Sequence, residues 1–151
     1  MDPAVTEPAQ RAGLGAQLAA LRLAELRIGV WMRPANLRRD WPATLVAPAW
    51  CFEARAVPTG GDGRELAARL WDLAGWAQRA DALLEAWPRA VLPPRRFALA
   101  AAMVRHLQTD PLLPRILHPA GWPGARIRAA YAAYEQELGE LLRSQRAGHG
   151  V

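Results

Sequence analysis

A chain of 151 residues with 52% apolar side chains and seven tryptophans carries enough apolar surface for a real core, and too much for a disordered segment. Its formal charge of +5 comes from 19 basic residues, all arginine, against 14 acidic ones; spread from Arg11 to Arg146 among Glu and Asp, they read as solvated helix faces rather than a nucleic-acid footprint. Cys51, as the one cysteine, excludes an intramolecular disulfide, while the MDPAVTEPAQ start and the lack of an apolar run near ~18 residues speak against export and a membrane span, so a cytoplasmic chain with no membrane partner is expected.

From Gln10 to Arg27, Leu14, Leu18, Leu21 and Leu26 recur at helical spacing and predict one amphipathic helix that Gly29 ends. Val30, Trp31 and Met32 are β-prone and Pro34 closes the run, which predicts a strand. Further β-prone material lies between Ala43 and Val57: Thr44, Leu45 and Val46, then WCFEARAV, where Phe52, Ala54 and Ala56 alternate with Glu53 and Arg55 as in a half-buried strand. PTGGDG, Pro58 to Gly63, is a loop by composition.

Helical spacing resumes with Leu66, Leu70 and Leu73 and continues through Ala80, Leu84 and Trp87. Asp72 is placed to cap a new helix from Leu73, with Gly75 near the junction. The prolines of PRAVLPPRR predict a linker and a domain boundary at 88–94. Arg95 to Thr109 reads as a well-packed helix stopped by Asp110 and Pro111. The next loop, DPLLPRILHPAGWP, holds Leu112, Leu113, Ile116, Leu117 and Trp122, and that much apolar surface predicts an ordered, packed loop. A last helix runs from Pro123 to Gln145 with a stripe of Ile127, Tyr131, Tyr134, Leu138 and Leu141, which serves either as an intramolecular core face or as a dimer seam.

Four blocks in this order, GVWMRPANL, GRELAARLWDLAGWAQRADALL, RFALAAAMVRHLQTDPLLPRIL and GWPGARIRAAYAAYEQELGELL, resemble the PaaX family of bacterial transcriptional repressors over most of Leu14 to Leu142. LWDL at Leu70 to Leu73, HLQTDPLLP at His106 to Pro114 and the GWPGA turn from Gly121 are the most specific parts. The resemblance implies regulators of phenylacetate catabolism, built from an N-terminal winged helix, a ferredoxin-like middle domain and a helical C-terminal domain, and responding to phenylacetyl-CoA. It implies an α+β chain with an incomplete ferredoxin-like domain over 1–87, a linker at 88–94 and a helical C-terminal domain over 95–151. The expected protein is a homodimer that touches DNA only through a winged helix absent from this chain, and the opening ferredoxin-like strand is expected to be missing as well. Forming mixed dimers with an intact regulator is the alternative in another class.

Several groups of residues could carry chemistry. His106 and Asp110, four apart, have the spacing of a carboxylate orienting an imidazole, but no nucleophile accompanies them; a helix-stopping Asp110 and a His106 adding positive charge at a helix end are expected instead. Asp40 and Asp62 lack the second carboxylate a metal-dependent nuclease needs, and TGGDG lacks the GK[ST] ending of a phosphate loop. No catalytic residue, metal or resident cofactor is therefore expected. Arg95, Arg96, Arg126 and Arg128 can pair with the phosphates of an aryl-CoA effector, and Trp31, Trp71, Trp76 and Trp122 can line an aromatic pocket or simply fill a core. Arg105 and Trp122, flanking the ordered loop, are the first choices for ligand contact, followed by Arg95, Arg96 and Arg126; Cys51 is expected to be buried.

Overall fold

The computed structural model describes residues 8–46, 49–55 and 61–148, with side chains described over 13–45, 49–55 and 61–145. In chain order the elements are α1 (Pro8–Ala20), β1 (Ala24–Arg27), β2 (Val30–Met32), α2 (Ala43–Val46), α3 (Gly63–Leu70), α4 (Leu73–Ala86), α5 (Pro93–Leu107) and α6 (Gly124–Gly148). The chain forms two compact units: Met1–Trp71 with Pro111–His118, and Asp72–Asp110 with Pro119–Val151.

In the first unit the helix expected over 10–27 stops at Ala20. The Leu23 amide donates to the Leu18 carbonyl and the Arg22 amide to Ala19, while Arg22 takes φ 70°. This is a Schellman closure with an arginine where glycine usually sits, so it left no glycine to read. The residues after it form β1, paired antiparallel with β2 through Ala24↔Met32, Glu25↔Trp31 and Arg27↔Val30, with an irregularity between Glu25 and Arg27. Gly29 turns the ribbon at φ 75°, and its amide is held by Glu25 Oε1 at 3.0 Å. The Val30–Met32 strand is thus where periodicity placed it, and Trp31 lies over α1 beside Gly15.

Thr44, Leu45 and Val46 form a helical turn rather than a strand. Pro42 pre-sets a helical φ, and its carbonyl accepts from Leu45, whose side chain is buried. Cys51–Arg55 has no strand partner among the described residues and is exposed, so alternation alone did not make a strand; Ala56 and Val57 lie outside the described residues. Trp50 and Phe52 stack on each other at 6.4 Å, both open to solvent. Cys51 is exposed, contrary to expectation, because its segment pairs with no strand among the described residues. The α+β class is present, with one two-stranded ribbon among the described residues.

Asp62 starts α3 by accepting the Arg64 amide at 2.9 Å, and Ala67 packs the helix inward. The proline-rich segment 111–118 completes this unit. Leu113 is buried, Asn36 Nδ2 donates to the Leu112 carbonyl at 2.7 Å, and Arg64 Nε to that of Ile116 at 2.8 Å. The order expected of this loop is present, although Ile116 points outward and Leu112 holds φ 55°.

The second unit is three mutually packed helices, α4, α5 and α6, around Trp76, Ala80, Met103 and Ile127. Asp72 caps α4 as its spacing predicts, accepting the Gly75 amide at 2.9 Å. A Cβ at Gly75 would stand 2.2 Å from the Asp72 carboxylate, so glycine is required for that cap.

The structure divides the chain away from the expected linker at 88–94. Trp87–Arg89 makes a 3-10 turn, Leu92 is extended, and Pro93 opens α5, so the prolines join two helices of one unit. A proline in the first turn lacks an N–H that would be unsatisfied there in any case, and here it starts a helix. The break between units falls at Trp71 and Asp72.

Candidate functional site

The residues with the most to offer chemically gather on the face of Trp76. Helical spacing aims this ring into the second unit from α4, four residues before Ala80. His106, in the last turn of α5, stacks on one side with ring centroids 4.3 Å apart and 26° between planes. Trp122, just before α6, stacks on Trp76 at 4.5 Å and 17°. Such contacts contribute about 0.5–1.5 kcal/mol each beyond the area they bury. The buried Trp76 Nε1 has no hydrogen-bond acceptor, a cost the stack must offset.

His106 Nε2 donates to the Trp76 backbone carbonyl at 3.0 Å. Burial pushes the His106 pKa below its ordinary value, against the opposing effect of that bond. His106, expected to add positive charge at an open helix end, is instead buried against Trp76, where a charge costs solvation. Thr109 closes α5 by donating both its amide and its hydroxyl to the His106 carbonyl. Asp110 then turns inward, 1% exposed, and Arg128 of α6 donates to its Oδ2. A Cβ on Gly124 would stand 2.5 Å from Trp122 Nε1 and 2.9 Å from Arg128, so the glycine of GWPGA permits this approach.

The expected ligand residues are not brought into one pocket. Arg96 lies 4.3 Å over the Trp87 ring and pairs with Glu137 at 3.1 Å; Arg126 pairs with Asp81 at 3.3 Å. Arg95 and Arg105 are exposed on α5, ten residues or about 15 Å apart along the axis. Trp122 is half-buried in the stack. Trp31 and Trp71 belong to the first unit, and Asp62, weighed as a metal carboxylate, caps α3. Shallow grooves along α6, one lined by Glu137, Glu140, Leu141 and Ser144 and another by Glu135 and Arg143 among others, include none of these residues.

The α6 stripe divides. Ile127 is wholly buried, Tyr131 and Tyr134 are half-buried, Leu138 is just over the edge and Leu141 is 62% exposed. Tyr134 meets Trp87 edge-on at 5.7 Å, and burial raises the Tyr131 pKa, with Glu135 adding to the shift. Ile127, named for a dimer seam, is thus a core residue; the outer end of the stripe is what an external partner can reach.

Sequence reasoning missed Arg128–Asp110, Arg126–Asp81 and Arg96–Trp87 as pairs, since each joins residues of different elements, beyond the three-or-four spacing of one helix. One signal was available: the stack and the Asp110 pair draw on LWDLAGW, HLQTD and GWPGARIR, three blocks singled out by resemblance.

Residues 71–145 match the family described as the PaaX-like protein C-terminal domain. The solved structure of uncharacterized protein Rv0674 from Mycobacterium tuberculosis is similar, with a TM-score of 0.80 and 43% identity over 90% of this chain. The match spans 56% of that chain, little more than half its length. No curated protein matches. The family match opens at Trp71, beside the division between the two units.

Proposed function

Through residues 71–145 the C-terminal part of this chain belongs to the PaaX-like family, and from that premise we propose that the protein acts in transcriptional regulation as the effector-sensing and dimerising part of a repressor, not as an enzyme. One observation carries the reading: the family match takes in α4, α5 and α6, the helices whose motif residues close the Trp76 stack. On this reading the first unit is a portion of a ferredoxin-like middle domain, the setting is cytoplasmic, and DNA is contacted by a winged helix rather than by these two units.

The effector class is an aryl-CoA such as phenylacetyl-CoA, with the exposed Arg95 and Arg105 on α5 as phosphate contacts. Calorimetric titration of the full chain with phenylacetyl-CoA, with CoA and phenylacetate as controls, tests this. Saturable binding of the thioester that weakens in Arg105→Gln is expected, and absence of binding rejects the effector assignment. Turnover of an ester or nucleic-acid substrate, abolished by a single substitution, would replace the regulatory reading with an enzymatic one.

Dimerisation is assigned to the exposed end of the stripe, Leu138 and Leu141, with Leu142 exposed beside them. Sedimentation at micromolar concentration should show a dimer that Leu141→Glu converts to a folded monomer. A wild-type monomer rejects it, and co-purification with an intact relative would then favour mixed pairing.

A further inference from the structure

We propose that a second copy of this chain lays the end of its α6 on the start of α5, and receives the same contact in return, with Glu140 of each copy against Arg95 of the other. The contact rests on the dimeric reading and identifies the surface that the exposed end of α6 meets. Tyr134 meets Trp87 edge-on and Arg96 pairs with Glu137, which sets the end of α4, the start of α5 and this stretch of α6 at one end of the three-helix unit. With 25 residues against 14 in α4 and 15 in α5, α6 runs on past that end. From Glu137 to Gly148 the helix advances about 16 Å.

Two sets of exposed apolar side chains result. Leu138, Leu141 and Leu142 lie on the overhang of α6, and Val91, Leu92 and Phe97 on the way into α5. Their surroundings differ in charge. The groove beside Leu141 is lined by Glu137 and Glu140, whereas Val91, Leu92 and Phe97 share their stretch of chain with Arg89, paired to Glu85, and with Arg95. Arg95 and Glu140 are exposed and make no ion pair among the described residues, so both charges are open to a partner. A second copy fits because it brings both surfaces at once: a two-fold axis at this end of the unit places each overhang on the other copy's α5, and every contact is made twice. Burial of the apolar side chains supplies the attraction, and the charges select which surface meets which. Arg95 is also a phosphate contact on the effector reading, so the two roles compete, and the dimer is tested without effector.

Sedimentation of the full chain at micromolar concentration, with circular dichroism to confirm folding, tests the contact. Arg95→Glu and Glu140→Arg, both at exposed positions, should each weaken the dimer by about tenfold, because each sets like charges together twice. Mixed one to one, the two variants should recover the wild-type affinity, since both contacts of the mixed pair again join opposite charges. Phe97→Asp should weaken the dimer as well. A dimer that Leu141→Glu breaks but that Arg95→Glu and Glu140→Arg leave unchanged, or a failure to recover on mixing, overturns this docking while dimerisation itself stands. A monomeric wild type overturns both.

Discussion

Trp76 and Trp50 are the same side chain with opposite fates: one is 3% exposed between two aromatic rings, the other 89% exposed on an irregular segment. The second unit buries its aromatic surface because three amphipathic helices each present a face to the other two. In the first unit, segment 49–55 carries Trp50 and Phe52 past any partner strand among the described residues, and the two rings cover only each other. Apolar content alone does not decide burial. A side chain is buried when a second element meets it, and helical spacing over 14 or 15 residues supplies that more dependably than a few alternating residues.

The sharpest way to break the contrast is Trp76→Ala. Removing the ring that His106 and Trp122 both stack upon should cost about 3–5 kcal/mol, read as a lowered urea midpoint at pH 8. Next is Arg128→Ala, which leaves the Asp110 carboxylate in place without its guanidinium; with Arg128 half exposed, about 2 kcal/mol is expected by the same measurement. In the first unit, Asp62→Ala removes the cap of α3 and should cost about 1 kcal/mol, seen as faster amide exchange of Arg64. Smallest of all, Trp50→Ala and Phe52→Ala should stay within about 0.5 kcal/mol of wild type, because both side chains are already in water. A Trp50 effect as large as that of Trp76 would erase the comparison.

Much of the second unit was legible residue by residue. Asp72 announced the start of α4, and the spacing of α6 put Ile127 in the core, whereas in α5 the sequence placed His106 on the polar side and the structure buries it. Proline both breaks helices and opens them, and only the packing of α4 on α5 shows that Pro93 begins one here. The Arg22 closure was hidden by the absence of glycine, and the residues after it passed for helix until β2 gave them a pairing partner.

The candidate site was legible in parts and not in assembly. Trp76 and Trp122 were named together, yet His106 and Asp110 were weighed only against each other, four residues apart. Their actual partners are Trp76, 30 residues away, and Arg128, 18 away. Local spacing carries no information about such pairs. The resemblance of the three blocks did, since residues from all of them meet around one indole.

Amide hydrogen exchange across the full chain, resolved to single residues at pH 8, tests this account most directly. The account predicts that Ala80, Met103 and Ile127, whose side chains are buried in the three-helix unit, exchange slowest and together, as one cooperative body, while Cys51–Arg55 exchange at the rate of an open chain. Equal protection in the two places, or separate exchange of α4 from α5 and α6, would contradict it.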